Sequence, residues 1–87
     1  MKIKEGFILR EIAGSQVGIA VGDATKIFNG MIHLNETSAL LFGLLQKGCE
    51  EQDLIDAMTA EYDVDKDTAK QDVQEFVGSL KEANLLD

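Results

Sequence analysis

The chain has 87 residues, 45% of them hydrophobic and 28% charged, with a formal net charge of -8. That balance suits one packed domain over residues 1–87 and excludes wholesale disorder, and no apolar run reaches the roughly 20 residues that cross a bilayer. The charge is uneven: residues 1–34 hold four Lys/Arg against three acids, and residues 35–87 hold four lysines against thirteen acids.

The first third reads as strand. Phe7 to Ala13 mixes β-branched and aromatic residues, Gly14-Ser15 supplies a turn, and Val17, Ile19 and Val21 then alternate with Gln16, Gly18 and Ala20. Ile27-Phe28 and Met31-Ile32 flank Asn29-Gly30, a pair suited to a two-residue hairpin turn, which predicts a third strand at Met31 to Leu34.

At Asn35 the apolar period lengthens from two to between three and four. Asn35 is the expected N-cap of a first helix, Leu40, Leu41, Leu44 and Leu45 its stripe, and Gly48 its stop. A second helix is expected from about Glu50 to Glu61, facing inward with Leu54, Ile55, Met58 and Tyr62. Cys49, a poor acceptor, stands at its cap. After Asp65 a third helix is marked by Ala69, Val73, Phe76, Val77 and Leu80. Three strands followed by three helices make the class α+β with segregated elements.

Candidate chemistry is sparse. His33, the only histidine, has no nucleophile at a recognisable spacing, and reads as a partly exposed strand residue rather than a general base. Cys49 and His33 fall short of the four ligands usual at zinc. Asp63-Val64-Asp65-Lys66-Asp67 resembles the opening of a calcium loop, but Thr68 and Gln74 stand where the glycine and the closing glutamate belong. Those acids read instead as a helix-capping segment. The single cysteine excludes an internal disulfide and agrees with a reducing compartment, and the start of the chain lacks a signal-peptide core, so a cytoplasmic location with no membrane partner is expected. No phosphate-binding glycine loop occurs, and neither a cofactor nor an enzymatic activity is expected.

The segments Leu9-Arg10-Glu11-Ile12-Ala13-Gly14 and Phe28-Asn29-Gly30-Met31-Ile32-His33-Leu34-Asn35-Glu36-Thr37 resemble the PqqD family. So do Glu61-Tyr62-Asp63-Val64, Asp72-Val73-Gln74-Glu75-Phe76 and Leu80-Lys81-Glu82-Ala83-Asn84-Leu85-Leu86, in the same order along nearly the whole chain. Ser38 stands where glycine is common in that family, and His33 where threonine is common. The resemblance implies a winged helix-turn-helix-like fold. It also implies a non-catalytic peptide chaperone that binds the leader of a ribosomally made precursor peptide and presents it to a modifying enzyme, expected to be a radical S-adenosylmethionine enzyme.

On that reading a leader adds as a strand beside the third strand. Asn29, Gly30, Met31, Ile32, His33 and Leu34 form one wall, and Val73, Phe76, Val77 and Leu80 form the other, with Asp72 and Glu75 available to a basic residue. The edge at Met31 to Leu34 lacks the proline or inward charge that protects edges, and Ile32→Pro is expected to block addition if the Ile32 N–H points outward. Two other readings compete: a DNA-binding regulator and a homodimeric assembly domain. The segment from Asp63 to Asp87 has more acids than lysines and no arginine, which opposes phosphate binding and leaves no nucleic-acid partner expected.

Overall fold

Ala13 and Gly14 both take positive φ, 53° and 81°, and form the two-residue turn between β1 (Phe7–Ile12) and β2 (Ser15–Ala20). A computed structural model of the chain describes residues 1–28 and 30–87, and in it β3 (Met31–Leu34) completes an antiparallel sheet of order β1-β2-β3. Three helices follow: α1 (Glu36–Lys47), α2 (Glu51–Glu61) and α3 (Lys66–Glu82). The α+β class and the element order are those the sequence predicts.

The route into β3 differs from expectation. Gly22–Lys26 forms a short 3-10 helix, and the N–H groups of Ile27 and Phe28 both donate to the Ala24 carbonyl, at 3.0 Å each. Ile27-Phe28 is therefore no strand, and β3 pairs with β2 instead, Met31 opposite Ile19 and Leu34 opposite Gln16. The cause is tertiary: Phe28 turns toward the core, its ring centroid 6.4 Å from that of Phe7. Asn29, the expected first residue of the turn, lies outside the described residues.

Helix α1 starts as expected, with Asn35 Oδ1 accepting from the Ser38 N–H at 2.8 Å, and stops at Gly48, whose φ is 95°. Its buried stripe is Leu41, Phe42 and Leu45, while Leu40 and Leu44 are only half-buried. Phe42 takes the centre because Gly18 lies beneath it. A Cβ at Gly18 would stand 3.0 Å from two atoms of the Phe42 ring, closer than ordinary packing allows. The small residues of β2, Gly18 and Ala20, thus face the helices, and Val17 and Ile19 point to the other side of the sheet.

Cys49 is not the cap of α2. Glu50 is, and its N–H donates to the Asp53 carboxylate at 2.9 Å. Cys49 lies one residue earlier, where its N–H donates to the Met1 carbonyl at 2.9 Å and its carbonyl accepts from the Met1 ammonium at 2.7 Å. That start is tied down rather than loose. Helix α3 begins at Asp65, whose Oδ1 accepts from the Thr68 N–H at 2.7 Å.

The core lies between the sheet and the three helices and centres on Phe42, Leu45, Leu54, Met58, Val73 and Leu85, all essentially inaccessible to water. Burying each such side chain stabilises the fold by roughly 1.5–3 kcal/mol. The two ends of the chain are stitched across this core. The Ile3 N–H donates to the Leu45 carbonyl at 2.9 Å, the Lys4 N–H to the Leu85 carbonyl at 2.8 Å, and Ile3 bridges Leu86. No helix is long and apolar enough to cross a membrane among the described residues.

Candidate functional site: the open edge of β3

The parity of the sheet follows from its first turn. A two-residue turn with positive φ at both positions closes on a hydrogen-bonded flanking pair, here Ile12 and Ser15. Antiparallel ladders alternate, so Arg10–Val17 and Ile8–Ile19 are bonded pairs too, and the Val21 N–H reaching the Gly6 carbonyl at 2.7 Å continues that parity. Gln16 and Gly18 then spend their backbone groups on β3, on Leu34 and Ile32. The N–H and C=O groups of Met31 and His33 point away from the sheet, onto an edge with no strand beside it among the described residues. The condition attached to Ile32→Pro is therefore not met, because the Ile32 N–H faces β2.

Alongside this edge runs a groove whose far wall is the C-terminal half of α3. Its apolar part is a cavity of about 340 Å³ bordered by Phe28, Met31, Ile32 and His33 on one side and Phe76, Leu80, Ala83 and Leu85 on the other. Its floor is formed by the buried Leu80 and Leu85, while its rim meets solvent: Met31 is 50% exposed. A polar cavity of about 260 Å³ adjoins it, between the first turn of α1 and α3. Ser38, Phe76 and Ser79 line both, and Asn35, Thr37, Asp72 and Glu75, over Leu41 and Met58, complete the second. A third, more open hollow of about 580 Å³ lies by the β1–β2 turn, bordered by Leu9, Gln16, Leu34 and Leu40, and takes nothing from α3.

Of the residues predicted for the site, Met31, Ile32, His33, Phe76 and Leu80 come together around the apolar cavity, and Asp72 lines the polar one. Gly30 is exposed at the start of the edge with φ 148°, and Asn29 lies outside the described residues. Leu34, Val73 and Val77 are buried in the core and border neither cavity of the groove. They lie on the inward face that stabilises the fold, one helical step or one strand position from the groove-lining residues. Phe28, Ser38, Ser79, Ala83 and Leu85 went unpredicted. Phe76, Leu80 and Ala83 follow one another at helical spacing, so Ala83 was within reach of the pattern, whereas Phe28 and Leu85 arrive from loops and carry no local signal.

No cluster of three or more His, Cys, Asp or Glu side chains able to hold a metal occurs among the described residues. Burial pushes the Cys49 thiol up, with Asp53 and Glu50 adding to the effect against the N-terminal ammonium, so little thiolate forms at neutral pH.

A three-stranded sheet followed by three helices, with an open last strand beside a helix-lined groove, defines a small α+β module of winged helix-turn-helix type. Residues 16–86 match the family model for coenzyme PQQ synthesis protein D (PqqD), and the chain belongs to that family. Two solved structures have the same fold over almost the whole chain. One is TbiB1 in complex with the TbiA(beta) leader peptide, at 25% identity and TM-score 0.78, covering 100% of this chain and 95% of that one. The other is a lasso peptide synthetase B1 complexed with its leader peptide, at 25% identity and TM-score 0.73, covering 97% and 93%. No curated protein matches the chain.

Proposed function

We propose that residues 1–87 act as a single recognition domain that binds the leader of a ribosomally synthesised precursor peptide by strand addition to β3. The observation that carries this reading is the unpaired edge at Met31 and His33 lying directly against an apolar cavity. An added strand gains main-chain hydrogen bonds whatever its sequence, and alternate side chains enter the groove and supply selectivity. A leader residue opposite Ile32 shares its face and meets Phe76, Leu80 and Leu85. Membership of the PqqD family and the leader peptides in the two similar structures support the same occupant.

On this reading the protein is cytoplasmic and non-catalytic. It holds the leader while a separate modifying enzyme works on the rest of the peptide. The PqqD-like character favours a radical S-adenosylmethionine enzyme as that partner. Neither nucleic acid nor membrane has a role in it, in keeping with the acidic helices.

The test is an amide NMR titration of the labelled protein with leader segments of short precursor peptides encoded beside its gene. Shifts confined to Met31, Ile32 and His33 and to the α3 face from Asp72 to Leu80 are expected. Silence there with every segment, with shifts on adding duplex DNA at low salt, would replace the reading by a regulator.

A further inference from the structure

The two cavities of the groove differ in chemistry. The apolar one meets Ile32, and the polar one lies beyond it toward the first turn of α1, with Ser38, Phe76 and Ser79 shared between them. In a strand laid along β3, successive side chains on the inner face are two residues apart, about 7 Å. The side chain next after the apolar anchor on that face therefore points at the polar cavity.

Asp72 and Glu75 dominate the charge there. They are three apart on α3, and thus neighbours on its surface, where like charges repel. The positions that could relieve the repulsion, three and four residues from each, hold Thr68, Ala69, Gln71, Phe76, Gly78 and Ser79, none of them basic. Neither carboxylate has an ion-pair partner among the described residues. The first turn of α1 faces the same cavity and contributes about half a positive charge, against two full negative ones. Two of the donors there are already engaged, because the Ser38 N–H and the Thr37 hydroxyl both donate to Asn35 Oδ1.

We propose that the leader this protein takes carries a lysine or arginine two residues from its apolar anchor, and that Asp72 and Glu75 select it. The proposal rests on the leader-binding reading. It assigns a role to an uncompensated acidic pair facing a cavity that continues the peptide groove.

The probe is a display library of randomised short peptides, selected on the full chain, on the Asp72→Asn/Glu75→Gln double variant and on His33→Pro, whose edge has lost one outward backbone donor. Both acids are solvent-exposed on a helix surface, and unchanged circular dichroism checks that their variant folds. Selection on the unaltered chain is expected to enrich Lys or Arg at the second position from an apolar residue, with roughly five- to tenfold weaker binding when that residue is Glu. The preference is expected to vanish in the double variant and to fade with added salt. Peptides enriched equally by the unaltered chain and the double variant, with no charge preference, would overturn this inference and leave strand addition standing. Peptides enriched as well by His33→Pro would overturn strand addition itself.

Discussion

Replacing His33 by proline separates strand addition from any other use of the groove. The His33 N–H points off the sheet, so the substitution breaks no ladder bond to β2, and the preceding Ile32 already has the extended backbone that a proline requires of its neighbour. The chain should therefore fold. For an incoming leader one hydrogen bond disappears, about 1 kcal/mol net, and the leader carbonyl that would have accepted it is left unpaired at a cost of about 1–3 kcal/mol. The total of about 2–4 kcal/mol corresponds to a Kd roughly 30- to 900-fold weaker. Calorimetric titration of the unaltered chain and His33→Pro with the same leader, beside thermal unfolding of both, reads the two effects separately. Ile32→Pro is the contrasting control, since its N–H is committed to β2 and its loss should lower Tm. Equal affinity of His33→Pro and the unaltered chain would refute strand addition at this edge.

Three further outcomes follow from the packing. Gly18→Ala should lower stability by about 1–3 kcal/mol through collision with the Phe42 ring, and Gly18→Ala/Phe42→Leu should recover part of it, as read by denaturant unfolding. Phe42→Ala, which removes the largest fully buried side chain of the core, should cost about 3–5 kcal/mol in the same assay. Asp65 is held below the usual carboxylate range, chiefly by the backbone N–H of Thr68 and then by the Thr68 side chain. A depressed native pKa means that its capping contribution is fully present above the unfolded-state pKa, near 3.9, and is lost as pH falls through the lower native value. Asp65→Asn keeps an acceptor at the cap, so acid unfolding followed by circular dichroism should show a flatter pH dependence in that window with little change at pH 7.

The parts of this fold that could be read from sequence are those with local causes. The Asn35 and Asp65 caps, the Gly48 stop and the β1–β2 turn each depend on residues within a few positions of one another, although the turn falls at Ala13-Gly14, one residue before the expected Gly14-Ser15. The path from Val21 to Phe28 does not. It is set by Phe28 turning to Phe7, and by Ala24 packing so closely on Gly6 that a Cβ there would come within 2.6 Å. Both partners lie far along the chain, and an Asn-Gly pair looks the same with or without them. The groove was legible in outline for a similar reason. Helical spacing identifies α3 as amphipathic, but which flank of its stripe faces the core and which faces β3 is decided by α2, so Val73 and Val77 go one way and Phe76 the other. The division of β3 into inward- and outward-bonding residues needs the register, which no single strand carries.

The shortness of the β3 edge also bears on time. Among the described residues of the edge, Met31 and His33 offer outward backbone groups, so a strand added there is held by a handful of bonds and one or two side-chain anchors. Because affinity differences among related complexes lie mostly in the off-rate, so short an edge shifts the proposed complex toward quicker release. A longer edge would grip harder and let go slowly, throttling turnover once each peptide had been processed. Four residues of strand suit a carrier that must release its cargo as readily as it takes it up.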